Sequence, residues 1–393
     1  MTPTSHNPLY YKALCLIWLC STLLFGDSAN GAEETNIVKT VLCRQGDEGV
    51  HTYRIPGLTT TMAGTLIAVF DLRHKTTRDL PGDVDIGMRR STNRGTTWEP
   101  TRVILDFPKD EPNSRGNGVG DPCILADTQT GSIFVAGLWS KGNRGWDGSG
   151  PGLTPEETGQ FVLTRSDDDG RTWSKPINIT SQVKQPEWRL CLQGPGRGIQ
   201  LQDGTLVMPA QYKDDENVPH SFFIYSEDHG ATWKPSPPVV TGTNLWTTEA
   251  QLAELPNGDL LITMRNHDPR KERAWATFSR HTETGKLSGG KWSPVTFALD
   301  DPTCMAALVS YRSKSGKHVL LFANPASKAR RERMTIYKSL DGGKTWPVSR
   351  LIDPRPSADS GLTILPDESI GLLYETGDSI AIERLTFARF TLP

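Results

Sequence analysis

Ser91-Thr-Asn-Arg-Gly-Thr-Thr-Trp98, Ser166-Asp-Asp-Asp-Gly-Arg-Thr-Trp173, Ser226-Glu-Asp-His-Gly-Ala-Thr-Trp233 and Ser339-Leu-Asp-Gly-Gly-Lys-Thr-Trp346 are four copies of one pattern, Ser-x-Asp/Asn-x-Gly-x-Thr-Trp. A repeat spread over most of a chain constrains the architecture before any single residue is considered. Each copy has a mechanical logic: Asp or Asn bonds nearby backbone amides, Gly permits positive φ, and Trp anchors the turn on an apolar layer. The copies read as hairpin turns. Around them, Gly64-Thr-Leu-Ile-Ala-Val-Phe70, Asp203-Gly-Thr-Leu-Val-Met208, Asn257-Gly-Asp-Leu-Leu-Ile-Thr-Met264 and Asp367-Glu-Ser-Ile-Gly-Leu-Leu-Tyr374 each place a turn ahead of an apolar run of strand length. No long stretch holds a helical period. The box starts are separated by 75, 60 and 113 residues, and Ser279 to Trp292, with Gly285, Gly289 and Gly290 between, reads as a degenerate copy in the longest gap. At roughly 40 to 60 residues per blade, the expected fold is all-β, a six-bladed β-propeller over residues 32–393.

The N-terminus carries a different signal. Lys12 precedes the apolar run Ala13 to Phe25, and the small residues Ser28, Ala29, Gly31 and Ala32 follow, the layout of a secretory signal peptide over residues 1–31. That run is shorter than the roughly 20 residues that span a bilayer. The expectation is a secreted or periplasmic protein with no membrane span after cleavage. Of six cysteines, Cys15 and Cys20 lie in the leader, and the wide spacing of Cys43, Cys123, Cys191 and Cys304 fits buried thiols, with one or two bridges at most. A formal net charge of -2 gives no footprint for nucleic acid. Asp167-Asp168-Asp169-Gly170 lacks the alternating spacing of a calcium loop, and no His-Glu-x-x-His or paired Cys/His motif occurs, so neither metal nor cofactor is expected.

Function begins to show in Thr52-Tyr-Arg-Ile-Pro-Gly-Leu58, followed by the first box. With these motifs the chain resembles the exo-sialidases over residues 38–393, and Gln193-Gly-Pro-Gly-Arg-Gly-Ile-Gln200 ahead of Asp203-Gly-Thr-Leu resembles their bacterial branch. The resemblance implies removal of a terminal sialic acid, or a related 2-keto-3-deoxy sugar acid, from a sialoglycoconjugate or other acidic glycan. It also implies a set of site residues. Three arginines would clamp the substrate carboxylate through charge-assisted bonds: Arg54 of Tyr-Arg-Ile-Pro, Arg265 of Ile-Thr-Met-Arg-Asn, and Arg331 ahead of Met334-Thr-Ile336, with Arg330 and Arg333 as neighbours of the last. Glu375 would steady Arg54. Asp79, 25 residues beyond Arg54, would be the acid/base group, with Asp83 and Asp85 as competitors. Glu249 of Trp246-Thr-Thr-Glu-Ala-Gln-Leu252 would activate the nucleophile.

The pattern then breaks. Sialidases use a tyrosine nucleophile, placed by related sequences in Pro-Ser-x-Tyr-Ser-x-Leu, whereas this chain reads Pro356-Ser-Ala-Asp359-Ser-Gly-Leu362. Aspartate brings a negative charge toward a centre that already bears a carboxylate, and the expectation is that Asp359 and Glu249 share a proton. Being shorter than tyrosine, Asp359 leaves room for water. Three outcomes follow: direct water attack with inversion, Asp359 as a carboxylate nucleophile, or a protein that binds without turnover. A structural propeller with no sugar site is the remaining alternative. Tyr374 adjoins Glu375 on one predicted strand and so faces away from it, leaving no obvious replacement.

Overall fold

The computed structural model describes residues 37–108, 116–240, 242 and 245–392; the leader expected at 1–31 lies outside the described residues. Apart from the four-residue helix Thr180–Val183 and the 3-10 turn Asp47–Gly49, regular structure in these residues is strand. No described helix is long and apolar enough to cross a membrane.

The strands form five hydrogen-bonded sheets that follow one another along the chain. In the first, Thr52–Thr60, Leu66–Arg73, Val84–Ser91 and Arg102–Leu105 pair in sequence order. The second runs Gly118–Ala126, Ile133–Ser140, Gln160–Ser166 and Ile177–Asn178, with Gly196–Arg197 parallel to its first strand. The third places Leu190–Gln193 and Ile199–Gln200 on Leu206–Lys213, followed by Pro219–Ser226 and Lys234–Pro235. The fourth consists of Thr247–Glu254, Leu260–Asn266 and Glu272–Ser279, edged by Lys291–Trp292 and Thr296–Asp300. The last has seven strands, and in it the 17-residue strand Val348–Ile364 pairs with Glu332–Ser339 along its first part and with Ile370–Thr376 along its second. Val38–Arg44 lies beside Arg384–Phe390 in that sheet, so strands from the two ends of the described chain pair with each other. Radial repetition of this kind leaves only short, protected sheet edges.

The four boxes share one hydrogen-bond network. In each, the serine hydroxyl bonds the Asp or Asn two residues on and accepts from the glycine amide: Ser91, Ser166, Ser226 and Ser339 accept from Gly95, Gly170, Gly230 and Gly343 at 2.8–2.9 Å. The carboxylates of Asp168, Asp228 and Asp341 accept both the amide and the hydroxyl of the threonine four residues on. Each glycine has φ between +75° and +86° and lies against an apolar side chain of the preceding sheet. A Cβ at Gly95, Gly170, Gly230 or Gly343 would come within 2.8 Å of Phe387, Ile67, Phe134 or Leu261. Three box tryptophans meet aromatic rings of the preceding sheet: Trp98 against Phe387 with ring centroids 5.2 Å apart, Trp233 against Phe134 at 6.1 Å and Trp346 against Trp275 at 5.4 Å. The residue before the glycine reaches back as well: Arg94 to Asp367, Asp169 to Thr61, Thr65 and Arg90, and His229 to Asp127. The box is therefore an inter-sheet rivet as well as a turn. The degenerate copy retains part of this, since Trp292 packs on Phe223 of the preceding sheet, with centroids 5.8 Å apart.

Cys43, Cys123, Cys191 and Cys304 are free and fully buried, and burial pushes the Cys43 thiol up to about 12. The bridges allowed for from the spacing do not form among these residues. Gly230→Ala combines a left-handed backbone with overlap on the Phe134 ring, and a loss of about 2 kcal/mol is expected, to be read as a lowered midpoint of thermal unfolding against Gly242→Ala, whose Cβ would meet nothing within 4 Å.

Candidate active site

The innermost strands of several sheets are interrupted at one level. Pairing registers shift between Arg54 and Gly57, Gly120 and Cys123, Thr248 and Gln251, and Ser357 and Ser360. At three of these bulges a non-glycine residue takes positive φ: Ile55 at 56°, Asp121 at 59° and Glu249 at 35°. Bulges re-aim side chains and are enriched beside functional sites. Proline recurs there, in Ile55-Pro-Gly57, Asp121-Pro-Cys123 and, where the third sheet's first strand breaks, Gly194-Pro-Gly196. Proline lacks the amide that a regular ladder needs, so it is tolerated where pairing lapses. The backbones also close on one another, and a Cβ on Gly57 would stand 2.4 Å from the Gly196 carbonyl oxygen.

Arg54 and Glu375 form the site's central pair. Arg54 Nε and Nη2 donate to the two Glu375 oxygens at 2.8 and 2.9 Å, and Glu375 also accepts the Ile55 amide of the bulge at 2.9 Å. The same Nη2 donates to Asp359 Oδ2 at 2.9 Å, while the Cys304 thiol donates to Asp359 Oδ1 at 3.0 Å. Burial alone would raise the Asp359 carboxyl, but Arg54, then Arg331, with Cys304 and Arg265, hold it below the usual carboxylate range. Glu375 moves the other way, pushed up by burial against the pull of Arg54. Burial, reinforced by Asp359, also pushes the Cys304 thiol up, so it stays protonated as a donor.

Glu249 Oε1 accepts from Arg265 Nη1 at 2.8 Å, which holds the Arg265 guanidinium charged. Glu249 Oε2 and Arg265 Nε are buried with no hydrogen-bond partner among the described residues. The expected sharing of a proton between Asp359 and Glu249 is not what the structure builds: each carboxylate has its own arginine, Arg54 for Asp359 and Arg265 for Glu249. An intervening cation removes the repulsion that would have driven the sharing. Arg331 donates to the Thr303 carbonyl at 3.0 Å and acts on Asp359, whereas Arg330 is 78% exposed and pairs with Glu332. Tyr374 is on the far face of its strand, donating to Asp353 at 2.9 Å.

Asp79, Asp121, Trp146, Glu249, Arg265 and His267 line a cavity of about 230 Å³, with Leu80, Leu138 and Leu192 as its apolar wall. Asp79 is half-exposed at its rim. Its competitors are engaged elsewhere, Asp85 with His74 at 2.7 Å and Asp83 with Lys75 at 3.4 Å. Several lining and supporting groups carried no motif in the sequence. Arg73, almost fully buried, bonds Asp71, the Thr77 carbonyl and, at 3.4 Å, Asp79. Asp71 in turn accepts the Asp121 amide at 2.8 Å. Burial raises Asp71 to about 6, and burial with the charges of Asp79 and Asp71 raises Asp121 well above the carboxylate range. Fully buried Arg273 ties the Glu249 carbonyl to the Cys304 carbonyl, joining the Thr248–Gln251 interruption to the segment ahead of the strand Ala307–Arg312. The Pro-bearing bulges were the one sequence signal that could have exposed Asp121.

These features define an all-β propeller whose central site gathers arginines and carboxylates from several sheets. Comparison with known proteins agrees. The family model described as a BNR repeat-like domain matches residues 64–374. A sialidase of Bacteroides fragilis (strain YCH46) is 42% identical over 355 residues, spanning 87% of this chain and 62% of that protein. A sialidase of Micromonospora viridifaciens is 34% identical over 364 residues, spanning 88% and 53%. Among solved structures, the Hadza microbial sialidase Hz136 superposes with a TM-score of 0.80 at 43% identity, covering 89% of this chain and 68% of that one. The chain belongs to the sialidase family, built on the BNR repeat-like domain. It spans less than two thirds of the length of the two curated relatives.

Arg73→Leu should strand Asp71 and release the loop that carries Asp79. Removing one partner of a buried ion pair costs about 3–5 kcal/mol, so a lowered thermal midpoint and faster hydrogen exchange across residues 74–83 are expected; unchanged exchange would show that the loop is held by other contacts.

Proposed function

We propose that this protein is an exo-glycosidase of sialidase type, hydrolysing terminal α-linked sialic acid or a related 2-keto-3-deoxy sugar acid from glycoconjugates. The observation that carries the reading is that Arg54 of the first sheet, Arg265 of the fourth and Arg331, just ahead of the strand Glu332–Ser339, all act on one carboxylate, that of Asp359, which Arg54 bonds directly. Guanidinium groups so arranged bind a planar carboxylate, and a sialic acid bears its carboxylate on the reacting carbon. Asp79, half-exposed among the residues that line the cavity, would protonate the departing glycosidic oxygen. Glu249, which lines the cavity and whose Oε2 has no hydrogen-bond partner among the described residues, is the candidate base for an attacking water. That division of labour gives inversion, as in glycosidases where one carboxyl acts as acid and another activates water. The curated relatives named sialidase support the substrate class.

The same reading takes the seven-stranded sheet as two blades sharing the long strand Val348–Ile364, making six in all, and takes the leader as directing export. A second reading, a propeller that binds acidic sugars without turnover, is favoured by one observation: both oxygens of Asp359 are already occupied, by Arg54 and Cys304.

The test is release of product from an aryl α-sialoside by the purified protein, with anomeric configuration followed by proton NMR, beside Asp359→Tyr. Inverted product is expected from the wild type; retained product would make Asp359 the nucleophile. Saturable binding without turnover, with activity gained in the tyrosine variant, would establish the binding protein instead. In the same assay Arg331→Ala should weaken sugar-acid binding roughly 10- to 100-fold, the worth of charged hydrogen bonds, while Arg330→Ala should change it less than about twofold.

A further inference from the structure

The arginine site is balanced internally. Arg54, Arg265 and Arg331 face three carboxylates, with Glu375 and Asp359 both on Arg54 and Glu249 on Arg265. A tyrosine at position 359 would leave that set one positive charge in excess, ready for an anionic ligand; aspartate cancels the excess. Asp359 is 3% exposed and saturated, with Arg54 on one oxygen and the Cys304 thiol on the other. By contrast, Arg265 Nε has no hydrogen-bond partner among the described residues, and Arg331 has a carbonyl, that of Thr303, on its Nη2.

We propose that Asp359 is an internal stand-in for the substrate carboxylate, and that an acidic sugar seats in the clamp only as Asp359 gives up Arg54 and takes up a proton from solvent. This rests on the sialidase-type reading. The physical reason is charge crowding. A ligand carboxylate drawn to Arg54 would be the fourth anion around three cations, in a buried site where like charges at close range raise a carboxyl pKa strongly. Protonation restores neutrality, and the proton has to come from bulk water because the groups facing Asp359 cannot supply it. Arg54, Arg265 and Arg331 stay charged, Glu249 and Glu375 are bound to arginine, Asp301 lies beyond Cys304, and the Cys304 thiol is itself pushed up. In the absence of sugar the arginines keep Asp359 ionised, so the proton uptake belongs to the binding step. Asp359 is then a specificity-determining residue that disfavours acidic ligands at neutral pH and admits them in acid.

The experiment is calorimetric titration of free N-acetylneuraminic acid into the full protein and into Asp359→Asn, from pH 5 to pH 7, in two buffers of different ionisation enthalpy. Wild-type affinity should fall toward about tenfold per pH unit where uptake is complete, with close to one proton taken up per sugar bound. Asp359→Asn, nearly isosteric, should bind about tenfold or more tighter than wild type at pH 7 and lose most of the pH dependence, keeping only what Asp121, Asp71 and Glu375 contribute. Equal affinities with equal pH profiles would overturn the proposal while leaving the sugar-acid reading intact. No binding by either protein even at pH 5 would overturn both. The wild-type proton count needs no variant, so it decides the question even if Asp359→Asn fails to fold.

Discussion

The Arg54–Glu375 ion pair is the contact on which the rest of the site depends. It joins the first sheet to the last, and it is made twice over, through two guanidinium nitrogens and through the Ile55 amide of the bulge beside Arg54. A buried carboxylate is stable only when its oxygens are bonded and its charge is met. Glu375 meets both conditions, but only while the Thr52–Thr60 strand keeps its irregular register. Closure of the sheet ring and orientation of a binding group are thus one constraint.

The bulges generalise this. A regular strand alternates its side chains between faces of its own sheet, so it has no efficient way to aim a group along the centre of the molecule. A register shift with one residue at positive φ does so, at a local cost in strain that surrounding contacts must cover. Here the cover is visible: Gln211 receives the Glu249 amide, Asp71 receives the Asp121 amide, and Arg273 grips the Glu249 carbonyl. The site residues rest on a scaffold of buried polar groups as much as on the apolar core.

Asp359 changes the character of that site. A phenol at this position would be neutral and would leave the arginines in surplus; the carboxylate instead completes a neutral cluster. Net charge in a buried site decides what can enter, because each added charge must find a counter-charge or change its protonation. On the proposed function, an aspartate here in place of a phenol would alter both the chemistry at the reacting carbon and the terms on which an acidic ligand binds.

The boxes and the turn-led apolar runs determined the architecture in the sequence itself, since a turn with a required glycine and a buried tryptophan has few structural uses. The order of Arg54, Arg265, Arg331 and Glu375 was legible for the same reason, each lying in a recognisable local frame at a strand or its edge. What the sequence could not carry was pairing across sheets. That Asp359 would meet Arg54 and not share a proton with Glu249, that Asp79 and not Asp83 or Asp85 would reach the cavity, and that Arg73, Asp121, Arg273 and Cys304 would surround them all depend on contacts between residues far apart in the chain. Charges are settled by distance and burial, and both exist only after the sheets have closed on one another.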